Sequence, residues 1–105
     1  MENNNLLVYS VILSATTKFG EGNNWTEVEK AVMKDHLEYL RTLYNEGTLL
    51  QAGRTEVLDL STYGFLIYKA ENDEKANEIA AKDPIVETGM MTAKVTPYKI
   101  AFGLN

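Results

Sequence analysis

The stretch at residues 6–13, Leu-Leu-Val-Tyr-Ser-Val-Ile-Leu, restricts the choice of fold more than any other part of the sequence. It is apolar at almost every position and rich in residues that favour strands. Because side chains on a strand alternate between two faces, a run that is apolar at both sets of positions is typical of a strand covered on both sides. We therefore predict a buried strand here, within a sheet that is protected on both faces.

A helix is predicted after the polar, glycine-bearing loop at residues 16–24. Thr26 and Glu29 have the spacing of a capping box, in which the two side chains bond the unpaired N–H groups at a helix start. Apolar residues then recur at helical spacing as far as Tyr44, and Gly47 marks the end of the helix. This pattern predicts one long amphipathic helix with an apolar face toward the sheet.

The rest of the chain predicts three more strands and a second helix. The strands, rich in apolar and aromatic residues, are expected at residues 48–57, 63–68 and 91–102. The helix is expected to begin at Asn72 and to end at Pro84, because the residue before a proline avoids helical angles. The order β-α-β-β-α-β predicts one α+β, ferredoxin-like domain over residues 1–105. Its four-stranded antiparallel sheet should carry both helices on one face.

Both sets of alternating positions are apolar in the first and third predicted strands. In the first strand, Tyr9 and Val11 belong to one set, and Val8 and Ile12 belong to the other. One set faces the helices, and the other would form a larger exposed apolar patch than a soluble monomer normally shows. We therefore predict a homodimer in which two copies pack sheet against sheet.

Composition argues against several classes of function. The chain has 105 residues and a net charge of −5, which argues against binding to nucleic acid or to an anionic membrane. It has no cysteine, so neither a disulfide nor a thiolate metal site is expected. Residues 1–5 lack the basic region and apolar core of a signal peptide, and no apolar run is long enough to span a bilayer. We expect a cytoplasmic protein.

Two ionisable side chains are the candidates for chemistry. His36, the single histidine, follows Met33 by three residues and precedes Leu40 by four, in phase with the inward helix face. Asp83 follows Ile79 by four residues, so it too should point toward the sheet, at a helix end whose dipole disfavours a negative charge. Each residue also has a plainer interpretation, as a hydrogen-bonded packing histidine and as a cap of the turn into the following proline.

The two candidates can meet because both predicted helices cover the same face of the sheet. We predict a carboxylate oxygen of Asp83 within about 3.2 Å of a ring nitrogen of His36, or joined to it by one water. A carboxylate on one ring nitrogen fixes the tautomer and leaves the other nitrogen as a general base. If the side chains face different cavities instead, each keeps its plainer role.

From His36 onward the sequence resembles the YCII-related (YciI-like) family. The first likeness is a helix whose core begins at the histidine, followed by a Gly-x-Leu-x-x-Ala-Gly turn and strand. An acidic helix start, an Asp-Pro helix end, a glycine and a closing Val-x-Pro-aromatic strand come next. These motifs lie at residues 36–53, 73–76, 81–84, Gly89 and 95–98. Each is short, and their order makes the set specific.

The resemblance implies a dimeric α+β barrel with a small-molecule pocket. That pocket would contain the family's histidine and Asp-Pro aspartate, which fall here on His36 and Asp83. A few members are dehydrochlorinase- or lyase-like enzymes of aromatic degradation, with those two residues proposed to transfer protons. Two positions depart from the family pattern: Arg54 stands where proline is usual, and Met33 where arginine is frequent. Arg54 is therefore the candidate for binding an anionic substrate.

Three functions are compatible with these residues. The first is a cofactor-free lyase, isomerase or dehydrochlorinase acting on a small aromatic or keto-enol substrate. In it His36 is the general acid/base and Asp83 its orienting partner, an arrangement worth about a hundred- to ten-thousand-fold in rate. The second is a non-catalytic ligand-binding or accessory dimer, and the third is a monooxygenase-like barrel, cofactor-free or haem-handling. A solvent-connected cavity at His36 favours the first, and a pocket filled by side chains favours the second.

Overall fold

The computed structural model describes residues 6–103. Residues 1–5, which are not expected to form a signal peptide, lie outside this range. The strands are β1 (Leu7–Ala15), β2 (Leu49–Arg54), β3 (Tyr63–Ala70) and β4 (Met91–Pro97). The helices are α1 (Glu27–Asn45), α2 (Asp73–Lys82) and the short α3 (Pro84–Glu87), with a 3-10 turn at Gly22–Asn24 before α1. Within residues 6–103, no helix is both long and apolar enough to cross a bilayer.

The four strands form one antiparallel sheet in the order β2-β3-β1-β4. β1 lies between β3 and β4, and its Val11 is opposite Leu66 on one side and Val95 on the other. The helices pack on one face, where strand and helix side chains share a single core. That core includes Tyr9, Val11, Leu40, Leu66, Tyr68, Ala76, Ala80 and Ile85. The predicted α+β, ferredoxin-like arrangement is confirmed, and α3 is an addition to it.

α1 begins and ends where the sequence predicts. The N–H of Thr26 donates to Glu29 Oε1 (2.7 Å), and the N–H of Val28 donates to Thr26 Oγ1 (3.3 Å), which completes the capping box. Past the end of α1 the chain turns at Gly47, whose positive φ of 85° favours glycine. The helix is therefore long enough to carry His36 near its middle, on its buried face.

Two predicted element ends differ from the structure. Pro84 does end α2, but it also occupies the first position of α3, where the missing N–H of a proline costs nothing. The prediction that the last strand continues to residue 102 is wrong, because β4 ends at Pro97. The N–H of Tyr98, the residue after β4, donates to Val8 O. Because Val8 is the second residue of β1, only Leu7 remains in β1 for β4 to pair with beyond this point.

The face of the sheet away from the helices, here called the outer face, is apolar over only half of its width. Ile12 of β1 and Phe65 of β3 are register partners there, and Ile12 is 42% exposed. Ile67 lies on the same face but is buried, and it lines a cleft beneath residues 98–103. On the side of β4 the outer residues are polar: Thr92, Lys94 and Thr96. The predicted sheet-on-sheet dimer would cover the half formed by β1 and β3.

A register shift in β2 decides which of its side chains face the helices. The shift lies between Leu49 and Gln51 and leaves Leu50 as an extra residue in this strand. Because side chains alternate along a strand, one extra residue moves every later side chain to the opposite face. Arg54 therefore lies opposite Gly64 on the helix-covered face, where the candidate site is found.

Candidate functional site

His36 and Asp83 form a buried hydrogen-bonded pair. His36 Nδ1 lies 2.8 Å from Asp83 Oδ1 and 2.9 Å from Oδ2. His36 is 8% exposed and Asp83 is 2% exposed. The contact predicted from helical spacing is confirmed. An aspartate buried this deeply needs a polar partner, and the histidine is one of the two that it has.

Asp83 lies between two helices. It follows the last residue of α2, where the helix dipole disfavours its charge. It is also the N-cap of α3, where its Oδ1 accepts the N–H of Ile85 (3.0 Å). The carboxylate therefore caps the turn into Pro84, as the plainer interpretation predicts, and it also accepts a hydrogen bond from His36.

The hydrogen bond to Asp83 decides which ring nitrogen of His36 is open. With a carboxylate as acceptor, Nδ1 carries the hydrogen, and Nε2 of the neutral ring keeps a free lone pair. Nε2 makes no hydrogen bond with any of residues 6–103. In the same range, every fully buried side-chain nitrogen or oxygen has a hydrogen-bond partner. Nε2 is therefore not sealed inside the protein, and His36 lines a cavity. A neutral ring in this state can accept a proton at Nε2.

The cavity lies between α1 and the helix-covered face of the sheet and has a volume of about 130 Å³. Its buried walls are mainly apolar and include Leu13, Phe19, Leu40, Leu66, Ile85 and Met91. Leu37 on α1 and Arg54 at the end of β2 also line it, and because both are exposed they mark its mouth. Asp83 does not line the cavity, so His36 presents the ionisable group at the inner wall.

Arg54 lies at the mouth, but part of its guanidinium is already engaged. Nη1 donates to the backbone carbonyls of Thr55 (2.8 Å) and Glu56 (3.1 Å). Within the described residues, no carboxylate forms an ion pair with this side chain. A role for Arg54 in binding an anionic substrate stays a prediction, and its place at the mouth follows from the extra residue in β2.

Phe19 lines the cavity, and this place was not predicted from the sequence. It belongs to the polar loop before α1, yet it is only 1% exposed. Trp25 does not line the cavity; its Nε1–H donates to Phe19 O (2.6 Å), and the two rings pack edge to face with centroids 5.2 Å apart. The available signal was a lone phenylalanine among polar and glycine residues, since such a ring usually finds a buried place.

Two tyrosines attach α2 to its neighbours beside the pair. Tyr39 Oη donates to Ile79 O (2.7 Å), and Tyr68 Oη donates to Ala76 O (2.6 Å). Burial, followed by the charge of Asp83, raises the pKa of Tyr39 to about 12. Burial also raises the pKa of Tyr68, with smaller contributions from Tyr39 and Asp83. Both phenols are therefore neutral hydrogen-bond donors at ordinary pH, and neither is suited to act as a base.

Solved structures of other proteins share this fold. One is the 5-chloro-2-hydroxyhydroquinone dehydrochlorinase of Burkholderia phenoliruptrix in complex with 2,5-dihydroxybenzoquinone. It has a TM-score of 0.60 and 20% identity, covering 87% of this chain and 93% of that one. An uncharacterized protein of Thermotoga maritima has a TM-score of 0.50 and 12% identity, covering 90% of this chain and 96% of that one. At these identities the likeness shows the fold alone.

Sequence comparison identifies the family. An uncharacterized protein of Haemophilus influenzae is 37% identical over 87 residues, which cover 75% of this chain and 89% of that protein. The family model described as the YCII-related domain matches residues 9–99, a range that includes His36, Arg54 and Asp83. The resemblance found in the ordered motifs is thereby confirmed, and the chain belongs to the YCII-related family.

Proposed function

We propose that this protein is a cofactor-free acid/base enzyme that acts on a small molecule in the cavity beside His36. In this proposal Nε2 of His36 takes up and returns a proton, and Asp83 holds the ring with the hydrogen on Nδ1. One observation carries the proposal: the buried carboxylate of Asp83 lies 2.8 Å from Nδ1 of His36, and the same histidine lines the cavity. Such an arrangement supports general base catalysis because the base is oriented before a substrate arrives.

The proposed chemistry is a proton transfer in which all electrons stay paired. His36 Nε2 removes a proton from a hydroxyl group, or from a carbon beside a carbonyl, and the bonding pair stays on the substrate. If the imidazolium returns the proton to a different atom of the substrate, the net reaction is an isomerisation. If the electron pair forms a double bond and expels chloride or a similar group with its bonding pair, the net reaction is an elimination. In that case Nε2 passes its proton to water.

The cavity favours a substrate with one small ring. Its volume of about 130 Å³ is close to that of an apolar protein cavity of about 150 Å³ that binds benzene. Apolar walls suit the faces of a ring, and Arg54 at the mouth suits an anionic substituent. The ligand in the Burkholderia structure, 2,5-dihydroxybenzoquinone, is also a single ring with ionisable hydroxyl groups. We extend this class of compound to the present chain.

The alternative is a non-catalytic ligand-binding dimer, and one observation favours it. Asp83 already has a structural task as the cap of α3, where it accepts the N–H of Ile85. A buried His–Asp pair with that task alone would fix α1 against α3 without taking part in a reaction. The two functions differ in turnover, since an enzyme transforms the ring that it binds and a scaffold releases it unchanged.

Turnover by a His36→Gln variant tests the proposal. Glutamine keeps a polar side chain of similar reach but cannot take up a proton at neutral pH. The substrates are single-ring chlorinated and hydroxylated phenols, including 5-chloro-2-hydroxyhydroquinone, the compound named for the Burkholderia enzyme. We expect the wild type to release chloride or form an isomer, and the variant to be slower by about a hundred- to ten-thousand-fold.

The matched control is Tyr44→Phe, a change at an exposed position of the same helix that should keep full activity. Turnover that survives in His36→Gln would contradict the acid/base proposal. Binding of these phenols without any conversion would assign the ligand-binding alternative.

We also propose that the protein is a homodimer joined through the outer face. Ile12 and Tyr63 are 42% and 52% exposed there, and Phe65 packs against Tyr98 with centroids 5.9 Å apart. Phe102, in the segment that borders the same cleft, is 97% exposed. Exposed aromatic and aliphatic side chains of this kind are typical of the core of a homodimer interface. A stable interface would bury more than roughly 1,200 Å² in total.

Light scattering at micromolar concentration should give about twice the chain mass of 11.8 kDa. Ile12→Lys should yield a monomer, because it places a charge in the interface beside Lys94, its register partner in β4. Val28→Lys, at an exposed position on α1, is the matched control and should leave the mass unchanged. A monomeric wild type would contradict the dimer.

A further inference from the structure

We propose that Phe19 sets the upper size of the ring that the cavity accepts, and that Trp25 is the positioning residue that keeps Phe19 in place. This inference rests on the proposed function in one respect, since the cavity beside His36 has to be the ligand site. It goes beyond that function because it concerns which molecules enter, whereas His36 and Asp83 concern what happens to them.

Phe19 is the deeply buried residue of the loop that precedes α1. It is 1% exposed, although Lys18 before it is exposed and Gly20 after it has a positive φ of 62°. Its side chain lines the cavity together with His36. Thr62 also lies outside the strands and helices, and the other lining residues belong to them. Phe19 packs in the core as well, but because it belongs to no strand or helix, its replacement should disturb the sheet less than replacement of a buried strand residue.

The loop is anchored on both sides of Phe19. Thr16 Oγ1 donates to Gly89 O (2.6 Å), and the N–H of Thr16 donates to Met90 O (3.0 Å). The N–H of Phe19 in turn donates to Thr16 O (3.0 Å). From the other side, the indole N–H of Trp25 binds Phe19 O at 2.6 Å and its ring contacts the phenyl ring edge to face. Trp25 thus holds both the backbone and the ring of Phe19 without touching the cavity.

With Phe19 in place, the cavity of about 130 Å³ has room for one aromatic ring. Truncation of this side chain removes a phenyl ring from the wall and frees the space that a second fused ring needs. An apolar pocket discriminates by about 10- to 200-fold over a single methylene, because close-packed walls yield little. A second fused ring is a larger change, so the wild-type cavity should reject it.

Two residues that occur once in the chain report binding directly. The sequence has one histidine and one tryptophan, so the side-chain NMR signals of His36 and Trp25 need no assignment. Titrations with phenol and with 2-naphthol, followed at His36, give the ratio of the two affinities. We expect the wild type to prefer phenol by at least about tenfold. Phe19→Ala, and the milder Phe19→Leu, should reduce or reverse that preference.

The matched control is Tyr44→Ala, which removes an aromatic ring from an exposed position of α1 and should keep the wild-type ratio. Trp25→Phe tests the positioning role, since it keeps an aromatic ring against Phe19 but lacks the indole N–H. We expect a smaller change of the ratio in the same direction, with phenol affinity unchanged. A tryptophan with only a structural role would lower the melting temperature and leave the ratio as it is.

An unchanged ratio in both Phe19 variants would overturn the inference, and so would equal binding of the two compounds by the wild type. If neither compound shifts the His36 signals in any variant, the inference falls together with the proposed ligand site. If Phe19→Ala admits 2-naphthol while His36→Gln keeps full turnover, the size limit stands and the acid/base proposal falls.

Discussion

Helix α2 has an aspartate at each end, and each carboxylate accepts a hydrogen bond from an aromatic side chain of a neighbouring element. At the amino end, Tyr9 Oη donates to Asp73 Oδ1 at 2.7 Å. At the carboxyl end, His36 Nδ1 donates to Asp83 Oδ1 at 2.8 Å. The two bonds are alike in length, but Asp73 is exposed and Asp83 is only 2% exposed.

The two hydrogen bonds therefore differ in the burial of the aspartate and not in their length. Burial is what makes the contact of Asp83, and not that of Asp73, a candidate site. Asp73 lies in the first turn of α2, where the helix dipole favours its charge and water competes for its partner. Asp83 follows the last turn of α2, whose dipole opposes the charge, and it is shielded from water; its polar partners are the ring of His36 and the N–H of Ile85. A carboxylate kept in such an unfavourable position is typical of functional sites.

The largest difference between the two ends is expected in catalysis. In Asp83→Asn, Oδ1 still accepts the N–H of Ile85, while an amide nitrogen replaces Oδ2 and can donate to His36 Nδ1. That exchange favours the tautomer with the hydrogen on Nε2, which removes the lone pair that the base needs. Turnover should fall by about a hundred- to ten-thousand-fold. Asp73→Asn, the matched change at the exposed end, should leave turnover near the wild-type value.

The tautomer of His36 can be measured directly, and it should not change if Asp83 has only a structural role. Nitrogen NMR of the single imidazole should place the hydrogen on Nδ1 in the wild type and in Asp73→Asn. In Asp83→Asn it should move toward Nε2. Equal losses of turnover at the two ends of α2, or the same tautomer in all three proteins, would remove the distinction between them.

The meeting of His36 and Asp83 could be predicted because it depends on regular structure. His36 lies at an inward position of the 3.6-residue repeat of α1. Asp83 lies at the next inward position after the last turn of α2. The order β-α-β-β-α-β then places both helices on the same face of the sheet. An inward position near the middle of α1 and one at the end of α2 are neighbours for that reason, and the conformation of a loop is not needed to predict their contact.

Phe19 and Arg54 could not be placed in the same way. Phe19 lies in a loop without a repeating pattern, so the direction of its ring depends on the contact with Trp25, which only tertiary structure supplies. The face on which Arg54 lies depends on the extra residue at Leu50, and nothing in the alternation of β2 announces a bulge. The contact between His36 and Asp83 was therefore predictable, whereas the loop wall of the cavity and its mouth were not.

A smaller difference is expected in folding stability. Asp83→Ala removes the acceptor of both His36 Nδ1–H and the N–H of Ile85, so the free energy of unfolding should fall by about 1–3 kcal/mol. Asp83→Asn keeps one acceptor and gives the ring a donor, and its loss should stay below about 1 kcal/mol. Asp73→Ala, at the exposed end, should cost less than Asp83→Ala. Urea and thermal melts measure these differences.

The double variant that combines His36→Ala with Asp83→Asn checks whether the pair is structural. If the pair serves chemistry, each single change should leave the melting temperature near the wild-type value or raise it, because functional sites tend to reduce stability. A large loss in each single variant that the double variant largely restores would mark a structural pair. The enzyme proposal would then be withdrawn in favour of the ligand-binding one.

The smallest difference is expected in the alkaline pH dependence of stability. After burial, the charge of Asp83 is the next cause that raises the pKa of Tyr39 to about 12. At the other end of α2, the hydrogen bond to Asp73 raises the pKa of Tyr9. The folded-state pKa of Tyr39 lies above its unfolded value of about 10, so folding favours the neutral phenol. This contribution is complete below about pH 10 and is lost as the pH rises toward about 12.

Tyr39→Phe removes that titration, so the free energy of unfolding should fall less steeply between about pH 10 and 12 than in the wild type. Asp83→Asn should flatten the same slope by a smaller amount, because the neutral amide no longer raises the pKa of Tyr39. Urea melts at a series of pH values measure both slopes, and Tyr44→Phe on the exposed face of α1 is the control. The change should be modest, since Tyr39 is only partly buried and solvent screens it. If Asp83→Asn keeps the wild-type slope while Tyr39→Phe flattens it, the charge at the carboxyl end of α2 does not affect the pKa of Tyr39.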